Sequence, residues 1–134
     1  MADPRFWNAF HDGIIVSVSG SVPGDLEFTI ECEYLYEELS HGQGTFRFKI
    51  TDCDFFQFKS FKDDVTHDEI DALNRAGILS AEFDNGIMSV FIHEGLMVLR
   101  YQGESVTMDS GWIVSLEQLC EAGDRSVQST EPDL

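Results

Sequence analysis

The residue types best able to do chemistry gather in the segment Trp7-Asn8-Ala9-Phe10-His11-Asp12-Gly13. An adjacent His and Asp can supply a metal ligand or an acid–base pair, because imidazole titrates near neutral pH and a carboxylate steadies its charged form. The same pair can hydrogen-bond loop backbone and fix where the chain enters a strand, and Asp12-Gly13 alone reads as a turn. His11 and Asp12 are therefore the candidate catalytic residues, with a structural reading beside the functional one. His67-Asp68-Glu69 stands where a helix is expected to begin, and consecutive helical residues do not face one another, so the three cannot share one ion. His41 lies in Ser40-His41-Gly42-Gln43-Gly44, which no Gly-Lys-Ser/Thr follows, so a phosphate cradle is not read there. His93 falls at an expected hairpin turn and should be exposed.

Four histidines on four elements give no metal-ligand spacing, and no metal or cofactor is expected. Asp52 and Asp54 flank Cys53, yet the twelve-residue EF-hand pattern is missing. There is no Gly-x-Ser-x-Gly elbow. Cys32, Cys53 and Cys120 are odd in number and form no Cys-x-x-Cys pair, which argues against both a disulfide framework and a zinc site. Buried free thiols are the expectation. The enzyme reading rests on His11 and Asp12 alone, with His93 or His41 converging on them.

Charge narrows the partners. Eight basic residues against 25 acidic ones give a net charge of −17 over 134 residues. Such a chain is not expected to bind nucleic acid or an anionic membrane, since both need a basic surface. A basic protein partner is permitted. The first ten residues lack the apolar run of a signal peptide, and no stretch is long and apolar enough to span a bilayer, so a cytoplasmic setting is expected.

These residues need elements to hold them. Gly13 to Ser19 reads as a strand with Ile14, Val16 and Val18 on one face. Leu26 to Tyr36 alternates, placing Leu26, Phe28, Ile30, Cys32, Tyr34 and Tyr36 inward and the glutamates outward. Thr45 to Thr51 puts Phe46, Phe48 and Ile50 inward, with Arg47 and Lys49 opposite the glutamates. Phe55 to Phe61 carries aromatics on both faces and is expected to be covered on both. From Ile78 to Asp109, four apolar segments are separated by Asn85-Gly86, Glu94-Gly95 and Gln102-Gly103, read as three tight turns of a β-meander. Asp64 to Ala76 reads as a helix capped by Thr66 and stopped by Gly77, and Ser115 to Ala122 as a second, stopped by Gly123.

The expected fold is a mainly β, α+β domain over residues 1–123. It has about eight antiparallel strands in two meander halves, one connecting helix and one C-terminal helix, followed by a mobile polar tail over 124–134. A sandwich and a single curved sheet both satisfy this order, and no repeat between the halves is evident.

The opening Phe10-His11-Asp12-Gly13-x-Ile15, the acidic alternating strand and the Thr-Asp-Cys turn into a Phe-rich strand resemble small bacterial β-rich domain proteins. Some of these are grouped with immunity proteins of polymorphic toxin systems. The resemblance implies a β-rich fold and a role in binding and neutralising a partner, and it carries no catalytic residues across. Three readings follow. The first is a non-enzymatic binding module meeting a basic partner through Glu27, Glu31, Glu33, Glu37 and Glu38. The second is a metal-dependent or acid–base enzyme at His11 and Asp12, and the third a structural domain that self-assembles into a homo-oligomer through its sheet edges.

Overall fold

The computed structural model describes residues 2–40, 42–61, 66–67 and 75–130. Helix α1 (Pro4–Ala9) opens the chain, capped by Asp3, whose side chain accepts from the Arg5 backbone N–H, and begun by Pro4, whose missing N–H costs nothing there. Strands β1 (Ile14–Gly20) and β2 (Gly24–Glu31) form a hairpin around a cis Val22-Pro23 bond. Helix α2 (Glu33–Ser40) follows, then β3 (Phe46–Cys53), β4 (Phe55–Ser60) and the short β5 (Thr66–His67). The second half runs β6 (Ala76–Asp84), β7 (Ile87–Ile92), β8 (Gly95–Arg100), β9 (Gly103–Met108) and the short β10 (Ile113–Val114), ending in α3 (Leu116–Thr130).

The mainly β, antiparallel α+β expectation holds, and the eight expected strands are present with two two-residue edge strands added. All ten lie in one sheet, ordered β10-β9-β3-β2-β1-β6-β7-β8-β4-β5. β3 and β4 are halves of one bent strand broken at Asp54, and β8 and β9 are halves of another broken at Tyr101-Gln102. Because β3 pairs β9 while β4 pairs β8, the sheet returns on itself. Six strands thereby form a circuit, β3/β4–β2–β1–β6–β7–β8/β9, closed by the pairing of the two bent strands.

The circuit contains two copies of one plan. Mapping β1–β5 onto β6–β10 preserves every pairing: Val18↔Phe28 matches Ala81↔Val90, and Phe48↔Val106 matches Met97↔Phe58. Val106↔Val114 likewise matches Phe58↔His67. Both copies carry a one-residue bulge at the same place, Val16 in β1 and Leu79 in β6. Three residues before Ile15 and Ile78 stand Asp12 and Arg75, at φ 67° and 57°. The longest local similarity along the mapped strands is Ile15-Val16-Ser17 against Ile78-Leu79-Ser80.

The bulges correct one expected face. Past Val16 the alternation changes phase, so fully buried Ile15 and, beyond the bulge, Val18 meet the core, whereas Ile14 and Val16 are half-buried. Phe46, Phe48 and Ile50 are fully buried as expected. Beyond Glu31 the expected strand becomes α2. Cys32, Leu35, Tyr36 and Leu39 follow helical spacing, and helix is the period that buries Leu35. Phe55 and Phe61 are 38% and 62% exposed, so β4 is covered on one face rather than two.

Of the three expected meander turns, Asn85-Gly86 has both residues at positive φ, as a primed turn requires. The second is His93-Glu94, with Gly95 already in β8. Gln102-Gly103 is no hairpin: the chain continues into β9, which pairs β3 instead of β8. The helix expected over Asp64–Ala76 meets β5 at Thr66-His67 and β6 from Ala76, and its other positions lie outside the described residues except Arg75, a bend. Thr66 is thus in a strand, and Gly77 is a strand residue rather than a stop. Helix α3 opens on a reciprocal Ser115–Gln118 cap and continues past Gly123 to Thr130.

Helix α1 covers the first half's core. Trp7 and Phe10, three residues apart on one face, are fully buried against Phe28, Phe46 and Phe48, with Trp7 and Phe48 ring centroids 4.5 Å apart. Leu119 and Ala122 bury one stripe of α3, which packs on α1 and α2.

Gly95 marks the closest approach of β8 to β4, where an added Cβ would collide with the Lys59 carbonyl. Gly95→Ala is expected to cost about 1–3 kcal/mol, read as a lower urea midpoint at unchanged slope. Gly123→Ala, in open space within α3, is expected to gain about 0.5–1 kcal/mol in the same measurement.

Candidate binding face

The His11–Asp12 segment is built into the fold. β1 and β6 share two residue pairs, Ile14↔Gly77 and Ile15↔Ala76. Beyond them β6 pairs with the end of α1 and the loop after it. The Ile78 N–H donates to the Gly13 carbonyl and the Asp12 N–H to the Ile78 carbonyl, both at 2.8 Å. The Asn8 amide then acts as a strand would, accepting from the Ala81 N–H at 2.8 Å and donating to the Ala81 carbonyl at 3.2 Å. His11 Nδ1 sits 2.6 Å from the Leu79 carbonyl at the bulge, which requires a proton on Nδ1. The Tyr34 hydroxyl donates to the His11 carbonyl at 2.5 Å.

His11 Nε2 lies 3.4 Å from Asp12 Oδ2, with both side chains more than half exposed, so the pair faces water and not a pocket. His93 is exposed in its turn, its ring against Gly77. His41 lies outside the described residues, and His67 contributes backbone to β5. Among the described residues no group of three His, Cys, Asp or Glu could hold a metal ion. The thiols are inert by environment: burial pushes Cys32 up to about 11 and also raises Cys53 and Cys120.

The five glutamates divide. Glu27 is half-buried on β2 opposite Lys49, which reaches Asp25 at 3.8 Å, and Arg47 stands opposite Thr29 instead of a glutamate. Glu38 is half-buried. Glu31 and Glu33 are exposed at the β2–α2 junction, where a hollow of about 150 Å³ is lined by Glu31, Glu33, Gln43, Gly44 and Thr45, and Glu37 is exposed one turn further along α2. Arg75 lies 3.8 Å from Glu31.

Helix α2 holds this face rigidly. The Tyr36 ring packs edge-on against Phe46, and its hydroxyl donates to Asp109 Oδ1 at 2.5 Å. Asp109 Oδ2 accepts from the Thr45 N–H, and these hydrogen bonds hold the Asp109 carboxyl below its ordinary range. Glu33 and Glu37, one turn apart, are like-charge neighbours and oppose helix formation. Glu37 and Glu38 occupy the last turn, where the helix dipole favours cations and α2 has none. The helix therefore keeps its acid at a local electrostatic cost. Sequence alternation hid this, because continuing it through Tyr36 placed these residues on a strand.

Two further surface features lie near β10. Trp112 and Ile113 are 42% and 72% exposed at the sheet edge. A shallow hollow of about 410 Å³ is lined by Arg5, Ser115, Leu116, Glu117 and Cys120. Among the described residues no helix is long and apolar enough to cross a membrane. No protein-family model, curated protein or solved structure matches the chain.

If Asn8, His11 and Asp12 tie α1 to β6, Asn8→Ala should destabilise the domain by about 1–2 kcal/mol, measured by urea denaturation, because two backbone groups of Ala81 lose their partners.

Proposed function

We propose that this protein is a non-enzymatic binding module that recognises a basic protein surface through Glu31, Glu33 and Glu37, as an immunity protein neutralises its toxin. The observation that carries this reading is α2 itself. It interrupts the first half where the second half has the two-residue turn His93-Glu94, and it ends in acidic residues that its own dipole disfavours. A basic partner relieves that repulsion, and the −17 net charge draws such a partner in by long-range attraction. The same charge disfavours nucleic acid and anionic membrane as partners. Three free cysteines agree with a reducing, cytoplasmic setting.

Affinity capture from native lysate at low and physiological ionic strength tests the proposal. A basic protein should be retained, more strongly at low salt, and lost from the triple variant Glu31→Gln, Glu33→Gln, Glu37→Gln. Retention of no basic protein at either salt, or equal retention by the variant, rejects it. Glu37→Gln alone should raise the melting temperature by about 1–3 °C, since the repulsion it removes is worth a few tenths of a kcal/mol.

Trp112 and Ile113 on the outer edge of β10 favour a second reading, self-association by edge pairing. Repulsion between two copies of charge −17 opposes it, so the mass by light scattering should rise with salt. The mass of one chain at every salt concentration rejects it.

A further inference from the structure

The second half of the circuit holds one ionisable residue where the first holds an aromatic. Under the two-fold mapping, Ile50↔Glu104 corresponds to Leu99↔Phe56, and Phe56 is a 5% exposed core residue. Packing alone is satisfied by Phe at this position. Glu104 instead lies half-buried beneath the start of α1. Its Oε1 accepts from the Asp3 backbone N–H at the N-cap of α1, and its Oε2 accepts from the Tyr101 hydroxyl at 2.6 Å. Tyr101 in turn accepts from the Nε1–H of fully buried Trp7 at 3.0 Å. One carboxyl thus connects directly to the N-cap of the helix that covers the core and, through Tyr101, to Trp7 at its middle.

We propose that the protonation state of Glu104 sets how tightly α1 is held on the barrel, making the N-terminal helix a pH-dependent latch. A proton taken from water neutralises the carboxyl, while Tyr101 keeps donating to Glu104 and accepting from Trp7. Oε1 keeps the Asp3 N–H throughout.

The groups facing Glu104 among the described residues are Asp3 from the α1 side and Tyr101 from the β8–β9 bend, with Arg5 paired to Asp3 at 2.7 Å and Cys53 beyond Tyr101. Burial is the dominant influence and pushes the Glu104 carboxyl up to about 7, against the lowering by Tyr101 and the Asp3 N–H. With α1 undocked the carboxyl meets water and returns to its ordinary value near 4.5. Between these values the docked form holds a proton that the undocked form releases. Docking is therefore strongest at acid pH and weakens as pH rises towards 7, then levels off, a change on the order of a hundredfold in the docking equilibrium.

Hydrogen exchange between pH 5.5 and 8 tests this. Protection of the α1 amides should fall by roughly thirtyfold over this window relative to β2 and β3 amides, and Glu104→Gln should abolish the pH dependence. Constant relative protection, or a decline that persists in Glu104→Gln, overturns the proposal. If the variant does not fold, carbon NMR of the wild-type Glu104 carboxyl decides. A midpoint near 7 is expected, and one between 4 and 5 overturns it.

Discussion

The pairing of residues 46–60 with residues 95–108 is the interaction on which the rest of this structure depends. Both strands bend, and they bend at the same height, so neither loses its partner on changing direction. The Gln102 N–H reaches the Thr51 carbonyl and the Asp54 N–H the Arg100 carbonyl, each within 3.0 Å, carrying the ladder through both breaks. Asp52 takes up the excess residue of the β3 bulge at φ 54°, with its N–H on the Asp25 carboxylate. The Arg100–Asp54 ion pair at 2.7 Å spans the corner from the exposed side. This corner turns a ten-strand row into a circuit, and the circuit creates the interior that Trp7 and Phe10 seal.

Much of this was legible along the chain, wherever one face is buried and the period is two. Phe46, Phe48 and Ile50, the β6–β7 hairpin at Asn85-Gly86 and the start of the C-terminal helix near Ser115 all declared themselves locally. Three kinds of feature did not. Helix α1 is one and a half turns long, too short for a 3.6-residue period to emerge, and its stability comes from Trp7 and Phe10 packing and not from propensity. The single-residue bulges at Val16 and Leu79 invert the face of everything after them without any signature residue. The β8–β9 bend looks like a hairpin because Gln-Gly marks any sharp change of direction, while the partner of β9 lies some fifty residues back in the chain. For the candidate residues the same division applies. His11 and Asp12 stood out by type, but their hydrogen bonds to Ile78 and Leu79 are contacts between distant segments that no local pattern encodes.

The internal two-fold offers a way to separate what the fold requires from what it carries. Residues that keep the circuit closed occur in pairs: Ile15 with Ile78, Phe28 with Val90, Phe48 with Met97, Asp12 with Arg75. Residues without a counterpart are not needed by that plan. Helix α2 is one such addition, and Glu104, whose counterpart is the apolar Phe56, departs from the plan by its chemistry. Both involve acid in places that ordinary folding energetics disfavour, the first at the negative end of a helix dipole and the second beneath a helix with apolar neighbours.

The two departures bear on opposite parts of the molecule. Glu31, Glu33 and Glu37 lie outward and cost little, since water screens them. Glu104 lies inward, where a charge is expensive, and is tolerated because Tyr101 and the Asp3 N–H satisfy both oxygens. Tyr36 fixes α2 to Asp109 through one hydroxyl, and Tyr101 fixes α1 to Glu104 through another. In each case a tyrosine on the core joins a helix to a carboxylate in or beside the β9 strand. Helices α1 and α2 are thus anchored by the same device to one strand, β9, which is itself held in register by β3. Any motion of β9 must be felt at both.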